Sequence, residues 1–478
     1  LIRKSLQTAL QLKELFRHQT EMLMKRPNDT KSILDHFKRL SEPLENSFRF
    51  DLETLLNILT KGDLEEIKEL NKIAQTMIYK SQNPKDCAKA KKLHCSVIHK
   101  TCGFGCMMHD YGSCMFVAVG EGRSMQYDLN QQTTYPGLGS TFKYASDTCV
   151  NRTNFAQAIH WKPLFGNLTT IGTQEVVTFN ITGPFTSHPL FRPGTVPDKI
   201  LPRIQRVHAD PKVWWTGHVI SYFLRLQKSA LADYESFKKK IRFNHPIVGI
   251  HVRRTDKHTE APPLALERYM DHVIRWFDRY EMRHPGDKVI RRVYLATDEP
   301  EVIKEANTKY PSYTFVTAPR KSSGNPQNRS SSAALAGILY DILALKDSDF
   351  IVVTLSSNVG RTIYELRQTL PMDPTFSIAN LDDSYNYWGE IGHKKVATMD
   401  HKPPPSAMCN NTQGREYFAH MRKWTCEIEL RVGDDLQVMF FMEHGYLIGG
   451  YNRRTHLHGL FPAHKVKEVL IPAPYNTY

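Results

Sequence analysis

The sequence predicts a two-lobed α/β protein with a helical N-terminal region and a small antiparallel β-barrel at its C-terminus. Short apolar runs alternate with amphipathic helices over residues 247–381, as in a parallel sheet that is covered on both faces. Leucines recur at helical spacing before residue 80, and short apolar pieces separated by Gly and Asp follow residue 394. These patterns divide the chain into the segments 1–82, 83–246, 247–393 and 394–478.

The composition of the 478 residues is that of a globular chain. Apolar residues make up 41% and charged residues 23%, which excludes a wholly disordered protein. No stretch of about 18 or more apolar residues occurs, so no membrane-spanning helix is predicted within this sequence. The net charge of +14 favours an anionic partner: a nucleotide, a nucleic acid, a polyanionic glycan or a membrane surface.

Residues 1–82 are predicted to form helices. Leu52, Leu55 and Leu59 belong to a helical stripe, and Pro27 interrupts an earlier one. Because charged residues occur on all faces, a coiled-coil stem or a dimer helix is favoured over a helix that lies on a membrane surface.

The cysteines predict a disulfide framework, because six of the eight are clustered in the second segment. Zinc is the alternative, since Cys102 and Cys106 lie near His99 and His109, but the wider spacings fit no common zinc finger. The clustered six are Cys87, Cys95, Cys102, Cys106, Cys114 and Cys149.

Six Asn-x-Ser/Thr triplets support the secretory pathway, where disulfides persist. They begin at Asn28, Asn151, Asn167, Asn180, Asn328 and Asn410. Because the sequence starts at Leu1 without a signal sequence, we expect a targeting or anchor segment to precede it in the full protein.

The second segment has a mixed pattern. The apolar run 114–119 predicts a strand, and residues 210–228 and 230–242 predict helices. Residues 160–205 are rich in Pro, Gly, Thr and Asn, which predicts loops.

The third segment predicts a parallel sheet, whose ligands bind beyond the carboxyl ends of the strands. The predicted strands are 247–252, 293–296, 313–316 and 350–354. The predicted helices between and after them are 264–282, 300–310, 332–345 and 358–369.

In the fourth segment, short strands over 394–467 predict the barrel, and an inserted loop is expected to be closed by a Cys409–Cys426 disulfide.

Charged residues follow the first predicted strand of the parallel sheet. Arg253 and Arg254 suit phosphate, because a guanidinium offers a planar fork of donors. Glu260 is a candidate general base, and Lys257 lies close enough in sequence to shift or relay its proton.

Other strand ends and loops extend this pattern. Asp298 follows the second strand, and Ser357 opens a helix whose N–H groups suit an anion. Gly105 belongs to a glycine loop, which is a weak signal by itself. The motif Asp347-Ser-Asp349 precedes a strand and is interpreted as a cap or turn, not as a metal site.

These residues favour a sugar-nucleotide glycosyltransferase. A non-catalytic binder of a polyanionic glycan or of nucleic acid is the competing class. The secretory features argue against nucleic acid.

The sequence resembles the core α1,6-fucosyltransferases over nearly its whole length. The motifs are His251–Lys257, Cys102–Cys106, Asp210–Trp215, Val293–Asp298 and Gly459–Pro462. The resemblance implies a GT-B-like enzyme with a coiled-coil stem, an open α/β lobe, a Rossmann-type lobe for GDP-fucose and an SH3-like barrel, in the order of the four segments.

The resemblance also implies a function. The donor is GDP-fucose, the acceptor is the 6-hydroxyl of the innermost GlcNAc of an N-glycan, and the anomeric carbon is inverted without a metal or another cofactor. A type II Golgi membrane protein with a lumenal catalytic domain is implied, and the stem helices suggest a homodimer. The alternatives are a non-catalytic glycan-binding secretory protein and a fucosyltransferase with another acceptor.

The resemblance assigns roles to individual residues. Arg253 holds the β-phosphate with Ser357 and the Gly105 backbone, while His251 and Asp341 contact guanine. Other positions that match the donor site are Arg254, Asp256, Asp298, Asn358, Asp382, Asp383 and Tyr385. Those that match the acceptor site are Glu260 as the base, Lys257 and Lys100 beside it, and His444.

Several positions depart from the family pattern. Gly183 stands where the family has an acceptor-contacting Asp, and Val353 and Gly360 replace a disulfide. Tyr135 is the candidate for the ribose contact. The aromatic residue expected before Gly445 is missing, so the barrel is not expected to bind proline-rich peptides.

Overall fold

The structure of the protein is a computed structural model that describes most of the chain. The described residues are 17, 46, 49–50, 52–56, 62–97, 103–128, 135–150, 155, 158–161, 171–181, 189–255, 263–318, 331–382, 385–387, 394–409, 415–418, 421–424, 426–443 and 447–476.

The first lobe contains a four-stranded parallel sheet with the strand order β2-β1-β4-β3. Its strands are β1 (Lys92–Val97), β2 (Ser124–Gln126), β3 (Ile159–His160) and β4 (Val176–Ile181). The helices of this part of the chain are α1 (Asp63–Gln82), α2 (Phe104–Gly120), α3 (Leu138–Thr141), α4 (Leu201–Val207), α5 (Pro211–Phe223) and α6 (Lys228–Lys240). The two predicted helices after residue 210 are therefore confirmed as α5, which is shorter than predicted, and α6, which begins and ends two residues earlier than predicted.

The strand predicted over 114–119 is wrong, because this run lies within α2. Every residue of α2 is buried, so the helix lacks the one-sided apolar stripe by which a surface helix is recognised. The prediction of loops over 160–205 is also wrong in part, since that stretch holds β4, β5 (Thr195–Pro197) and α4.

The last helix of the predicted stem belongs to the first lobe. Ile67, Leu70, Ala74 and Ile78 of α1 are buried in its hydrophobic core. The expected coiled coil falls mostly on residues outside the described part and stays a prediction. No helix among the described residues is long and apolar enough to cross a membrane.

The second lobe contains a five-stranded parallel sheet with the order β10-β9-β6-β7-β8, which confirms the predicted alternation of strands and helices. Its strands are β6 (Ile247–Val252), β7 (Arg292–Thr297), β8 (Thr314–Val316), β9 (Phe350–Val353) and β10 (Ile378–Asn380). Its helices are α7 (Leu266–Arg283), α8 (Glu301–Lys309), α9 (Ser332–Asp347) and α10 (Asn358–Arg367), followed by a 3₁₀ turn at Pro374–Phe376.

Helix α10 joins the two lobes, because it packs against α2 and α5 of the first lobe. The helices approach closely at two glycines. A methyl group on Gly105 would lie 2.6 Å from the carbonyl carbon of Asn358, and one on Gly217 would lie 2.1 Å from the carbonyl oxygen of Glu365. Larger residues at these positions would separate the lobes.

The C-terminal segment forms an antiparallel sheet with the order β16-β15-β14-β11-β17. The strands are β11 (Lys394–Ala397), β12 (Arg415–Phe418), β13 (Met421–Trp424), β14 (Asp435–Glu443), β15 (Leu447–Asn452), β16 (Leu457–Pro462), β17 (Val466–Glu468) and β18 (Ile471–Ala473), with a 3₁₀ turn at Ala463–Lys465. β12 pairs with β13, and β18 pairs in parallel with β5 of the first lobe. The SH3-like identity of this sheet stays a prediction.

Disulfides bridge Cys87 to Cys149, Cys95 to Cys114, and Cys409 to Cys426. Cys106 is also disulfide-bonded. The disulfide interpretation of the cysteines is thus confirmed, as is the predicted closure of the loop before Cys426.

Candidate active site

The candidate site lies where the central strands of the second sheet end. β6 lies between β7 and β9, with Val252 opposite Thr297 and Ile250 opposite Val352. Because the strands are parallel, Arg253, Asp298 and the loop after β9 share one edge of the sheet. This is the edge at which ligands of such folds bind.

Arg253 is held at this edge by Asp298. Its Nη1 lies 3.3 Å from Asp298 Oδ2, and the same carboxylate accepts hydrogen bonds from the backbone N–H groups of Arg254 (3.0 Å) and Thr255 (3.2 Å). Burial acts to raise the pKa of Asp298, but the Arg253 guanidinium and these hydrogen bonds outweigh it, and the pKa is lowered. The carboxylate therefore stays ionised and fixes the arginine loop.

Arg254 points to a different partner. Its Nη1 donates to Glu305 Oε2 at 3.0 Å, and its Nε donates to the carbonyl of Leu264 at 3.3 Å. These contacts tie the loop to α8 and to the segment before α7. These contacts do not test the predicted contact of Arg254 with the donor, which stays a prediction.

The loop after β9 is organised by Asp382, one of the predicted residues. This carboxylate accepts hydrogen bonds from the backbone N–H (3.2 Å) and the hydroxyl of Ser356. Arg361, which sequence reasoning missed, donates from Nε to the carbonyl of Leu355 at 2.6 Å and from Nη1 to Asn358 Oδ1 at 3.2 Å. Both contacts fix the backbone on either side of Ser357, which occupies the N-cap position of α10 without a capping hydrogen bond from its side chain.

The N-termini of α2 and α10 meet at this point. Gly105 in the first turn of α2 contacts the Asn358 backbone in the first turn of α10, so the positive ends of two helix dipoles converge. Such a junction suits a bound anion. Tyr135 lies beside it, but its hydroxyl accepts the backbone N–H of Phe104 at 3.1 Å, and its ribose contact stays a prediction.

The two residues expected to contact guanine lie on different elements of the second lobe. His251 is buried near the end of β6. Asp341 on α9 is buried and accepts a hydrogen bond from the hydroxyl of Tyr294 on β7 at 2.7 Å. Asp341 thus has a fixed position on α9 against β7, and its contact with guanine stays a prediction.

A buried network links the two lobes next to this edge. His109 Nε2 on α2 lies 2.9 and 3.0 Å from the two carboxylate oxygens of Glu365 on α10, and neither side chain is exposed. Tyr385, a predicted donor-site residue, donates its hydroxyl to Glu365 Oε1 at 2.7 Å. Burial and the Glu365 carboxylate raise the pKa of Tyr385 well above its ordinary value, so the phenol remains a donor.

Sequence reasoning missed His109 and Glu365. Glu365 follows Arg361 by one helical turn, which could have marked the face of α10 that meets the other lobe. In the sequence, His109 suggests only a possible zinc ligand. The neighbouring Asp110 is also buried, and burial raises its pKa to about 7.

Several predicted residues fall outside the described part of the chain. These are Lys100, Asp256, Lys257, Glu260, Asp383 and His444. Within the described residues, no group of three or more His, Cys, Asp or Glu could hold a metal ion. Among the described residues, the donors that suit an anion at this edge are the Arg253 guanidinium and the first turns of α2 and α10. These donors are called the cradle below.

The chain is similar to known fucosyltransferases. The family model described as "Alpha-(1,6)-fucosyltransferase N- and catalytic domains" matches residues 2–386. An α-(1,6)-fucosyltransferase of Drosophila melanogaster is 33% identical over 419 residues, which cover 87% of this chain and 62% of that protein. One of Caenorhabditis elegans is 31% identical over 447 residues, which cover 89% of this chain and 75% of that protein. The chain thus spans less than two thirds of the length of the Drosophila relative.

Solved structures are more distant. A NodZ α-1,6-fucosyltransferase soaked with GDP-fucose is 16% identical with a TM-score of 0.37, covering 59% of this chain and 93% of that chain. POFUT1 in complex with GDP-fucose is 10% identical with a TM-score of 0.36, covering 62% of this chain and 99% of that chain. TM-scores this low support no statement about the fold or the site.

Proposed function

The chain belongs to the α-(1,6)-fucosyltransferase family, and we propose that it transfers fucose from GDP-fucose to the 6-hydroxyl of the innermost GlcNAc of N-glycans. The family match over residues 2–386 carries this proposal. The cradle around Arg253 supports it, because a nucleoside diphosphate needs a site for its two phosphates. A GT-B-like arrangement of the two lobes and an SH3-like barrel are part of the same proposal.

The cradle acts on the leaving group. As the bond between the fucose C1 and the phosphate oxygen breaks, negative charge grows on GDP. Arg253, the Ser357 end of α10 and the Gly105 end of α2 stabilise this charge with donors that are already in position. The sugar carbon passes through an oxocarbenium-like state, as in glycoside chemistry.

The acceptor side of the reaction is assigned to Glu260. Its carboxylate takes the proton of the 6-hydroxyl while the acceptor oxygen bonds to C1 from the face opposite GDP, which inverts the anomeric carbon. Lys257 and Lys100 adjust the charge of this base, and His444 contacts the acceptor. Asp298, Asp382 and Tyr385 then serve as residues that fix the loops around the donor.

The cellular setting is also a proposal. The disulfides support an oxidising compartment, and we assign the protein to the Golgi lumen. A membrane anchor before residue 1 and a homodimer through the stem helices complete this assignment.

A transfer assay tests the proposal. The protein is incubated with GDP-fucose and a biantennary N-glycan that ends in GlcNAc, and mass spectrometry locates the added fucose on the core GlcNAc. Glu260→Gln should keep GDP binding but lower turnover by about 10²- to 10⁴-fold. Binding of GDP-fucose without transfer to any N-glycan would contradict the proposal and favour a non-catalytic binder.

A chelator tests the proposed independence from metals. EDTA should leave the transfer rate nearly unchanged, because the charge of GDP is met by Arg253 and two helix N-termini. Loss of activity in EDTA and its recovery with a divalent ion would contradict this part of the mechanism.

A further inference from the structure

Three arginines surround one glutamate where the helical residues before α1 meet α7. Arg49 Nε donates to Glu53 Oε1 at 2.7 Å. Arg279 Nε lies 3.5 Å from Glu53 Oε2, and Arg283 Nη2 donates to the same oxygen. Arg49, Arg279, Arg283 and Glu53 are called the arginine cluster below.

The arginine cluster buries more positive than negative charge. The side chains of Arg49 and Arg279 are 7% and 2% exposed, and among the described residues a single carboxylate serves all three guanidiniums. Burial, reinforced by repulsion from Arg49, lowers the pKa of Arg279 to about 9. Burial acts to raise the pKa of Glu53, but the arginines outweigh it and the pKa is lowered. The ionised cluster therefore carries two unbalanced positive charges.

Three N–H groups of the cluster have no hydrogen-bond acceptor within the described part of the chain, although they are buried. They are Nη2 of Arg49, Nε of Arg279 and Nε of Arg283. The remaining described contacts of these side chains are weak: Asn46 Oδ1 lies 3.5 Å from Arg279 Nη1, and the Arg283 guanidinium lies 5.4 Å from the Phe50 ring centroid. Buried donors and charges are normally paired in proteins.

Arg291 shows the usual arrangement on the same lobe. Its guanidinium donates to both carboxylate oxygens of Glu281, to Asp278 and to the hydroxyl of Tyr313. Arg291 has two carboxylates for one charge, whereas the described residues supply the arginine cluster with one carboxylate for three charges. Another group must therefore supply the hydrogen-bond acceptors that the cluster lacks.

We infer that the arginine cluster binds a small tetrahedral oxyanion such as sulfate or phosphate. Guanidinium groups match the oxygens of these anions with their planar forks, and an anion with two negative charges would balance the excess. The orphan N–H groups of Arg49, Arg279 and Arg283 would supply the hydrogen bonds.

A cavity of about 230 Å³ reaches the cluster at Glu53 and Arg283. Asp63, Asp349 and Asp373 also line this cavity, and their carboxylates would repel an anion that extends along it. The site therefore takes a small anion at the arginine end and excludes an extended polyanion.

This site is separate from the donor site. α7 leads into the start of β7, and the cavity is lined by Phe350, the first residue of β9. The cluster therefore lies at the amino edge of the second sheet, whereas Arg253 follows its carboxyl edge. The inference does not depend on which sugar the enzyme transfers.

Thermal unfolding of the full chain tests the inference, with sulfate exchanged for chloride at constant ionic strength. Sulfate should raise the melting temperature by about 2 °C in a saturable way. Arg279→Met should lose this shift, while Glu53→Gln should enlarge it because a negative charge is removed. Arg291→Met is the matched control and should keep the shift, and so should Arg253→Ala, which removes the proposed phosphate contact of the donor site.

Three results would overturn the inference. They are an equal shift in Arg279→Met and the wild type, loss of the shift in Arg253→Ala, and a shift that follows protein concentration, which would indicate a second copy of the chain. Should Arg279→Met not fold, a reduced shift in Glu53→Gln would overturn it as well. Failure of the fucose transfer assay leaves all these readouts intact, so the two proposals fail separately.

Discussion

Arginines are paired differently at the two edges of the second sheet. At the carboxyl edge, Arg253 and Arg254 each have a carboxylate within 3.3 Å, and Asp298 is itself saturated by backbone N–H groups. At the amino edge, Arg279 shares Glu53 with two other arginines. The first arrangement fixes a cation without a large desolvation cost, and the second leaves charge that a ligand must balance.

The number of carboxylates per arginine distinguishes a prearranged functional arginine from an unfilled anion-binding site. It also gives opposite expectations for stability. Removing a partnered side chain loses contacts, while removing a buried charge that lacks a partner costs little or stabilises the fold.

The largest expected effect is on catalysis at the carboxyl edge. Arg253→Ala should lower kcat/KM for GDP-fucose by about 100- to 1000-fold, because one donor to the leaving phosphate is lost. Its free energy of unfolding should change by about 1 kcal/mol or less, since the ion pair is partly exposed. Steady-state kinetics and urea unfolding measure the two quantities. Unchanged GDP affinity in this variant would show that Arg253 is not an arginine prearranged for the donor.

The buried network between the lobes, formed by His109, Glu365 and Tyr385, is expected to give the next largest effect, which is on stability. Glu365 has a full set of partners in His109 and Tyr385, so Glu365→Gln should cost about 3 kcal/mol of unfolding free energy. Urea unfolding measures this loss, and the exposed Glu235→Gln is the control. A Glu365→Gln protein as stable as the wild type would show that the pairing of a buried charge does not determine whether its removal destabilises the fold.

Asp110 is expected to give a smaller and opposite effect. Its pKa is about 7 in the folded protein against an ordinary value of 3.8, so the folded state holds a proton that the unfolded state has lost. Stability should therefore fall as the pH rises from about 4 to 7 and stay level above that range.

Asp110→Asn should remove this pH dependence and raise the unfolding free energy by about 2 kcal/mol at neutral pH. The difference between the folded and unfolded pKa limits this gain in unfolding free energy to about 4 kcal/mol. Buried amide N–H groups of the new asparagine that lack acceptors reduce the gain. Melting temperatures across pH 4–8 measure the effect. A pH dependence that persists in Asp110→Asn would assign it to another group.

The second lobe was predictable because its elements carry strong local patterns. Buried parallel strands such as β6 are uniformly apolar, and α7 has a clear polar face, so both the order of elements and the ligand edge at Arg253 follow from the sequence. The first lobe was less predictable. α2 is buried on every side and gives no helical stripe, and its central run was therefore interpreted as a strand.

The sequence by itself determined the family, the alternation that builds the second sheet, and the arginine and serine that follow its strands. Those features are local, because each depends on residues that are neighbours in the sequence. The tertiary structure alone shows how the clustered cysteines pair, that His109 meets Glu365 across 256 positions of the chain, and that three arginines share Glu53. Such contacts join residues far apart in sequence, and their charge balance depends on packing that no local pattern records.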